Sequence, residues 1–224
     1  MFRKMSAIEK KLGYKFKNRC LLKQALTHPS AAKQNSESYQ RLEFLGDALL
    51  DFLVAEWLFL RHPSAPEGEL TEKRRILVNC EALAKIIKIL AIEEFINCDI
   101  ASGITDSTLC DVYESIFASI YLDGGLKAAS CFLDSSLLAN ADLLLASPSF
   151  INYKGQLLEL LQSRGIQPHY EVIETEGPAH RTFFKIGVYA KDALLAVGTG
   201  YSKKEAEQQA SKIALEELSL DKSK

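Results

Sequence analysis

The chain has 224 residues, with 27 Lys and Arg against 29 Asp and Glu, so its formal charge is −2. With 47% hydrophobic and 25% charged residues it is too apolar for wholesale disorder, and its length accommodates one large or two small domains. A bulk polycation is excluded, so an anionic partner must be met by a local patch.

The charge is unevenly spread. Residues 1–41 hold ten Lys or Arg against Glu9 and Glu37, a net +8, whereas residues 89–142 hold nine acids against Lys127 alone, a net −8. Such separation marks either a cation site beside an anionic ligand or two regions that pair with each other. The N-terminus is basic but has no apolar run after it, so no secretory signal is expected. Five cysteines without a Cys-x-x-Cys pair fit reduced thiols in a cytoplasm.

In chain order, Ser6-Ala7-Ile8-Glu9 has the form of a capping box, and Leu21, Leu22, Ala25 and Leu26 make a helical stripe that ends before Pro29. A long apolar helix is predicted from Gln40 to about Leu60. It contains Glu43, Asp47, Asp51 and Glu56, so it reads as a buried helix and no membrane span is expected. Thr71 opens a run to Leu90 that is one bent helix or two. A helix over about 107–122 is expected to end at Gly124-Gly125, and another over 127–145 to stop at Ser147-Pro148-Ser149.

Beyond that breaker the periodicity changes. A helix over 153–164 precedes strands at 170–173, 184–188 and 193–197, and Ser202-Lys203-Lys204-Glu205 is a capping box for a last helix with Ala206, Ala210, Ile213, Ala214 and Leu218 on one face. The expected fold is an all-α N-terminal domain over 1–146, a linker over 147–152 and a small α+β domain (α-β-β-β-α) over 153–220, with both helices on one face of an antiparallel sheet.

Four acids stand out in the apolar helices. Glu43 and Asp47 are four apart and Asp111 and Glu114 three apart, so each pair shares a helix face. Burying like-charged carboxylates is costly, and a hard divalent cation removes that cost. Oxygen ligands without histidine or cysteine ligand spacing favour Mg²⁺ or Mn²⁺. The bland reading has these acids solvated or paired with Arg41, Arg74 or Arg75, and Asp51 continues the same stripe as Asp47. Gly46, inside the helix, costs about 1 kcal/mol relative to alanine; close approach of a second backbone or of a metal-bearing helix would justify it, and a plain packing contact is the competing reading. Lys203 and Lys204 occupy the positive end of the last helix, a placement that suits an anion docking on its free N–H groups.

Arg41-Leu42-Glu43-Phe44-Leu45-Gly46-Asp47 resembles the signature of bacterial ribonuclease III. Asp111-Val112-Tyr113-Glu114 with Tyr121-Leu122-Asp123-Gly124-Gly125 is similar to its second acidic motif, and Ala25-Leu26-Thr27-His28-Pro29-Ser30 and Glu67-Gly68-Glu69-Leu70 also fit. The segments from Lys154, from Gly177 and from Gly198 resemble a double-stranded-RNA-binding domain.

The resemblance implies a homodimeric, Mg²⁺-dependent endoribonuclease, with Mn²⁺ as a substitute, that cuts both strands of a duplex and leaves 5′-phosphate and 3′-hydroxyl ends. It implies metal ligation by Glu43, Asp47, Asp111 and Glu114, with Asp47 and Glu114 catalytic and Glu67 an accessory acid. Phe44 becomes a dimer contact. Gln156, Glu159, Pro178, His180, Lys203 and Lys204 become RNA contacts across two minor grooves. Gln40 departs from the family's usual glutamate and brings no charge. The competing readings are a duplex-RNA-binding protein without cleavage and a hydrolase of small phosphate esters.

Overall fold

The computed structural model describes residues 2–99, 103–147, 152–178 and 182–220. They fall into two compact units, 1–150 and 151–224. Most of the expected linker, residues 148–151, lies outside the described residues.

The first unit is helical: α1 (Phe2–Leu12), α2 (Arg19–Ala25), α3 (Gln40–Arg61), α4 (Glu67–Leu77), α5 (Cys80–Ile89), α6 (Asp106–Ser135) and α7 (Ala141–Leu145), with short 3-10 turns between them. Helix α6 is its centre. From Thr108 to Ile120 every residue but Asp111 is buried, because α2, α3 and α5 all pack against it. The segment 106–145 is long and apolar enough to cross a membrane by composition, and from Thr108 to Ile120 that apolarity is buried within the domain. Its polar side chains are satisfied internally: the Ser115 hydroxyl donates to the Ala25 carbonyl at 2.9 Å, and the Tyr113 and Ser136 hydroxyls meet at 2.9 Å.

Several boundaries differ from expectation. Ser6 is interior to α1 and caps nothing. Glu9 instead turns toward the segment after the helix, where it accepts from the Phe16 N–H at 3.2 Å and from Arg19 at 3.0 and 2.6 Å. The run expected to open at Thr71 begins at Glu67 and is two helices, because the Asn79 side chain accepts from the Ala82 N–H at 2.8 Å and starts a new one. The glycine pair breaks α6 where expected: Gly125, with φ +74° and ψ −177°, leaves helical backbone, and two helices meet there across a kink. Just before the kink, Asp123 accepts from the Tyr14 hydroxyl and the Lys17 and Asn18 N–H groups, each at 2.8 Å. Burial works against that carboxylate's charge, yet these donors hold it below the usual range. The basic arm is thus tied to the acidic body by hydrogen bonds, and among the described residues no ion pair joins the two regions.

Helices α3 and α6 cross at Gly46. A methyl group there would lie 2.6 Å from the Glu114 carbonyl carbon and closer still to its oxygen, so only hydrogen fits. The crossing explains a glycine that helix propensity disfavours.

The second unit has the expected order, α8 (Tyr153–Gln162), β1 (Pro168–Glu176), β2 (Phe183–Ala190), β3 (Ala193–Gly200) and α9 (Lys203–Leu220). The sheet is antiparallel in the order β1-β2-β3, and each strand runs beyond its expected limits. Leu157 and Leu161 from α8, Val188 and Ala196 from the sheet, and Ala210 and Ala214 from α9 form its core. Alanines let α9 lie close to β3, where Gly198 faces the backbone of Ala206 and Ala210. The Ser202 half of the expected capping box forms at α9, with the Glu205 N–H donating to Ser202 Oγ at 3.1 Å, while the Glu205 carboxylate reaches one residue further and accepts from the Tyr201 N–H at 2.8 Å.

Gly46→Ala should destabilise the first unit by about 1–3 kcal/mol, the usual cost of overpacking against an unyielding backbone; an unchanged urea midpoint would contradict the crossing. Arg19 holds the Glu9 carboxyl below its ordinary 4.5, so its contribution is present above that pH and is lost as pH falls through the lower folded value. The stability advantage of the parent over Glu9→Gln, read from urea midpoints, is therefore expected to be full at pH 7 and to shrink toward pH 3.

Candidate metal and nucleic-acid sites

The crossing at Gly46 decides which acids meet. Glu43 and Asp47 lie one turn apart on α3, on either side of the glycine, and Asp111 and Glu114 lie on the facing turn of α6. Glu114 is 9% exposed, Asp111 and Glu43 are half-buried and Asp47 is exposed. Burial first, then the charges of Asp47, Asp111 and Glu43, push the Glu114 carboxyl up to about 8. Burial, Asp111 and Asp47 likewise raise Glu43. Asp51, one turn further along α3, is not among the charges acting on either group. The charges of the other three carboxylates therefore converge on Glu114.

Around them stand residues that sequence reasoning did not select. The Tyr39 hydroxyl donates to Asp111 Oδ2 at 2.9 Å, fixing that carboxylate; burial and the two acids Asp111 and Glu43 in turn raise the phenol well above its ordinary value. Burial also raises Asp111, while the Tyr39 hydrogen bond and the His28 imidazole oppose the rise. His28, read from the sequence as structural, packs edge-on to Tyr39 at 5.6 Å and holds Ser30 Oγ at 2.8 Å, so it supports the site from behind. The Cys110 thiol donates to Glu114 Oε1 at 3.7 Å. Sequence spacing could have pointed to Cys110, which adjoins Asp111; Tyr39 and His28 are 72 or more positions from Asp111 and carry no such signal.

The donor set suits a hard cation. Carboxylate oxygens supply it, and the raised Glu43, Asp111 and Glu114 are what a cluster awaiting positive charge should show. Glu67 is placed elsewhere. At the start of α4 it accepts from the Thr71 hydroxyl at 2.8 Å and lines an open groove of about 340 Å³ with Phe52, Phe59 and Arg74. Phe44 points outward from α3 and is 81% exposed; Phe52, Phe59 and Leu60 continue the apolar surface along the helix.

In the second unit, Gln156 and Glu159 are exposed on α8, Pro178 follows β1 and is exposed, and Lys203 and Lys204 are exposed in the first turn of α9. His180 lies outside the described residues. The Lys203 ammonium sits 6.0 Å from the Phe184 ring, while Lys204 projects from the same turn. Lys154 is engaged internally, with Glu207 at 2.6 Å and the Tyr170 ring at 4.5 Å.

A family model for ribonuclease-III-like domains matches residues 18–141, and one for the double-stranded RNA binding motif matches residues 153–218. The chain is 39% identical to ribonuclease 3 of Symbiobacterium thermophilum, covering 91% of this chain and 90% of that protein. It is 36% identical to ribonuclease 3 of Campylobacter fetus, covering 97% and 99%. The solved nuclease domain of ribonuclease III from Campylobacter jejuni is 35% identical with a TM-score of 0.56, covering 63% of this chain and 96% of that one. Matches of this identity and extent, in both halves and in the same order as the two structural units, show that the chain belongs to the ribonuclease III family of endoribonucleases, with a helical nuclease domain followed by a double-stranded-RNA-binding domain.

Proposed function

We propose that the chain is a Mg²⁺-dependent endoribonuclease that hydrolyses double-stranded RNA to 5′-phosphate and 3′-hydroxyl ends, working as a homodimer in the cytoplasm on structured transcripts, among them ribosomal, messenger and transfer RNA precursors. The observation that carries it is the carboxylate cluster at the α3–α6 crossing, with Glu114 pushed up to about 8. A divalent cation held by Glu43, Asp47, Asp111 and Glu114 supplies charge neutralisation at the scissile phosphate and lowers the pKa of a water. Mn²⁺, similarly hard and oxygen-seeking, substitutes for it.

The protein's own groups do the positioning. Tyr39 keeps Asp111 oriented, and α6, buried from Thr108 to Ile120 except at Asp111, keeps Glu114 in the field of Asp47. Asp47 and Glu114 are the catalytic pair in this reading; Glu43 and Asp111 complete the ligand set. Glu67, displaced from the cluster within the protomer, serves as an accessory acid toward substrate.

The exposed Phe44 is the proposed dimer contact. In a solved nuclease domain of ribonuclease III from Campylobacter jejuni one region is involved in dimer formation, which supports a dimeric arrangement here. Two sites, one per protomer, would cut the two strands of a duplex. In the second domain Gln156 and Glu159 would face one minor groove, the loop from Pro178 to His180 the next, and Lys203 with Lys204 the phosphates between, as shape recognition of A-form RNA requires.

Incubation of duplex RNA with the protein and Mg²⁺ is expected to give short duplex products, and EDTA to stop cleavage while leaving binding by the second domain. Glu114→Gln and Asp47→Asn should each cut at least about 100-fold more slowly, given the size of electrostatic contributions at such sites. If both variants cut as fast as the parent, the site is misplaced; binding without cleavage under any divalent ion would make the chain a duplex-binding protein only. Replacing Lys203 and Lys204 by Ala should weaken duplex binding and flatten its dependence on log salt by about one unit for each phosphate that is no longer neutralised. Phe44→Asp should shift the sedimentation of the protein toward monomer.

A further inference from the structure

Two thiols adjoin the carboxylates. Cys110 is buried at 8% exposure, and its sulfur lies with the carboxylate oxygens of Asp111 and Glu114 in a group whose donor atoms are all within 4.8 Å of one another. Cys80, at the start of α5, lies in the field of Asp111 and Glu114 and donates to the Asp106 carbonyl at 3.5 Å. Mg²⁺ has no use for sulfur. Thiolates select softer ions, and a mixed set of sulfur and oxygen donors suits Zn²⁺ or Cd²⁺.

We propose that Cys110, with Cys80, Asp111 and Glu114, forms an inhibitory site for a thiophilic divalent cation, Zn²⁺ or Cd²⁺, overlapping the Mg²⁺ position. When the ion enters, the Cys110 S–H bond breaks, its proton passes to solvent and the sulfur electron pair bonds the metal; nothing is oxidised or reduced. Asp111 and Glu114 are then committed to the softer ion. Divalent affinity rises from the early first-row ions toward copper and zinc, so a small concentration of Zn²⁺ competes with abundant Mg²⁺. The thiolate site stands on the positions of Cys110, Asp111 and Glu114, with Cys80 as an outer partner. Its overlap with Mg²⁺ rests on the proposed function.

Cd²⁺ titrated into the full chain, without RNA, reads the site directly through thiolate-to-cadmium charge-transfer absorption in the ultraviolet. The parent for this experiment carries Cys20→Ser and Cys131→Ser, which removes two exposed thiols far from the cluster in sequence. Its band should be lost in Cys110→Ala. Cys80→Ser should weaken Cd²⁺ binding by about 10–100-fold, the usual effect of an outer metal-site partner, or more if Cys80 ligates directly. Excess Mg²⁺ should raise the Cd²⁺ midpoint. A band absent from the parent, or undiminished in a Cys110→Ala protein with the parent's circular dichroism, overturns the site. If that variant does not fold, Cys110→Ser decides by the same two outcomes. In cleavage at fixed Mg²⁺, Cys110→Ala should need about tenfold more Zn²⁺ for half inhibition, and equal sensitivity overturns the inhibitory role. The titration contains no RNA, so a protein that failed to cleave would still reveal whether the site exists.

Discussion

The nuclease domain depends on one contact, the backbone of α3 at Gly46 against the backbone of α6 at Glu114. Two helices brought this close cannot hold side chains between them at the crossing, so the turns on either side project into a shared space. On this pair of helices those turns carry Glu43, Asp47, Asp111 and Glu114. Any side chain at position 46 would push the helices apart and separate the acids. The same residue thus sets the packing of the domain and the spacing of the proposed metal ligands.

Such a cluster is unfavourable on its own account. Glu43, Asp111 and Glu114 lose hydration, and the neighbouring acids raise Glu43 and, most of all, Glu114. The rest of the domain tolerates it because α6 is anchored along its length: apolar contacts surround it from Thr108 to Ile120, Ser115 bonds to α2, and Asp123 fastens the loop after α1 just ahead of the Gly125 kink. Rigid support of an unfavourable arrangement is the usual condition of a preorganised site. The Tyr39–Asp111 hydrogen bond belongs to the same scheme, since it orients a carboxylate without neutralising it.

The second domain solves recognition without a net charge. Residues 152–224 hold ten Lys or Arg and ten Asp or Glu, so affinity for a polyanion must come from placement. Lys203 and Lys204 open α9, where free N–H groups add to their charge, and the hydrogen bonds of Ser202 and Glu205 fix that helix start. Lys154 shows the contrast: paired with Glu207 and laid over Tyr170, it serves the fold. The chain's −2 is therefore compatible with an RNA enzyme whose contacts are local and weaken with salt.

Much of this was legible in the sequence. Periodicity and capping chemistry gave the helical first half, the α-β-β-β-α second half and the start of α9, because those signals are local and tertiary packing reinforced them. Acid spacing on apolar helices, with a glycine between two of them, pointed to a cation and a close approach. The glycine pair likewise marked the break inside α6, whereas another local signal misled: Ser6-Ala7-Ile8-Glu9 has the pattern of a cap, but long-range bonding to Arg19 and Phe16 claims Glu9. What the sequence alone determined was the inventory, which residues share a helix face and which chemistry they offer. Only the tertiary structure decided that Asp47 rather than Asp51 acts on Glu114, that Glu67 stands apart within the chain, and that Tyr39, His28 and Cys110 adjoin the acids. Each of those depends on where α3, α5 and α6 meet, a property of helix crossing that spacing along one chain does not encode.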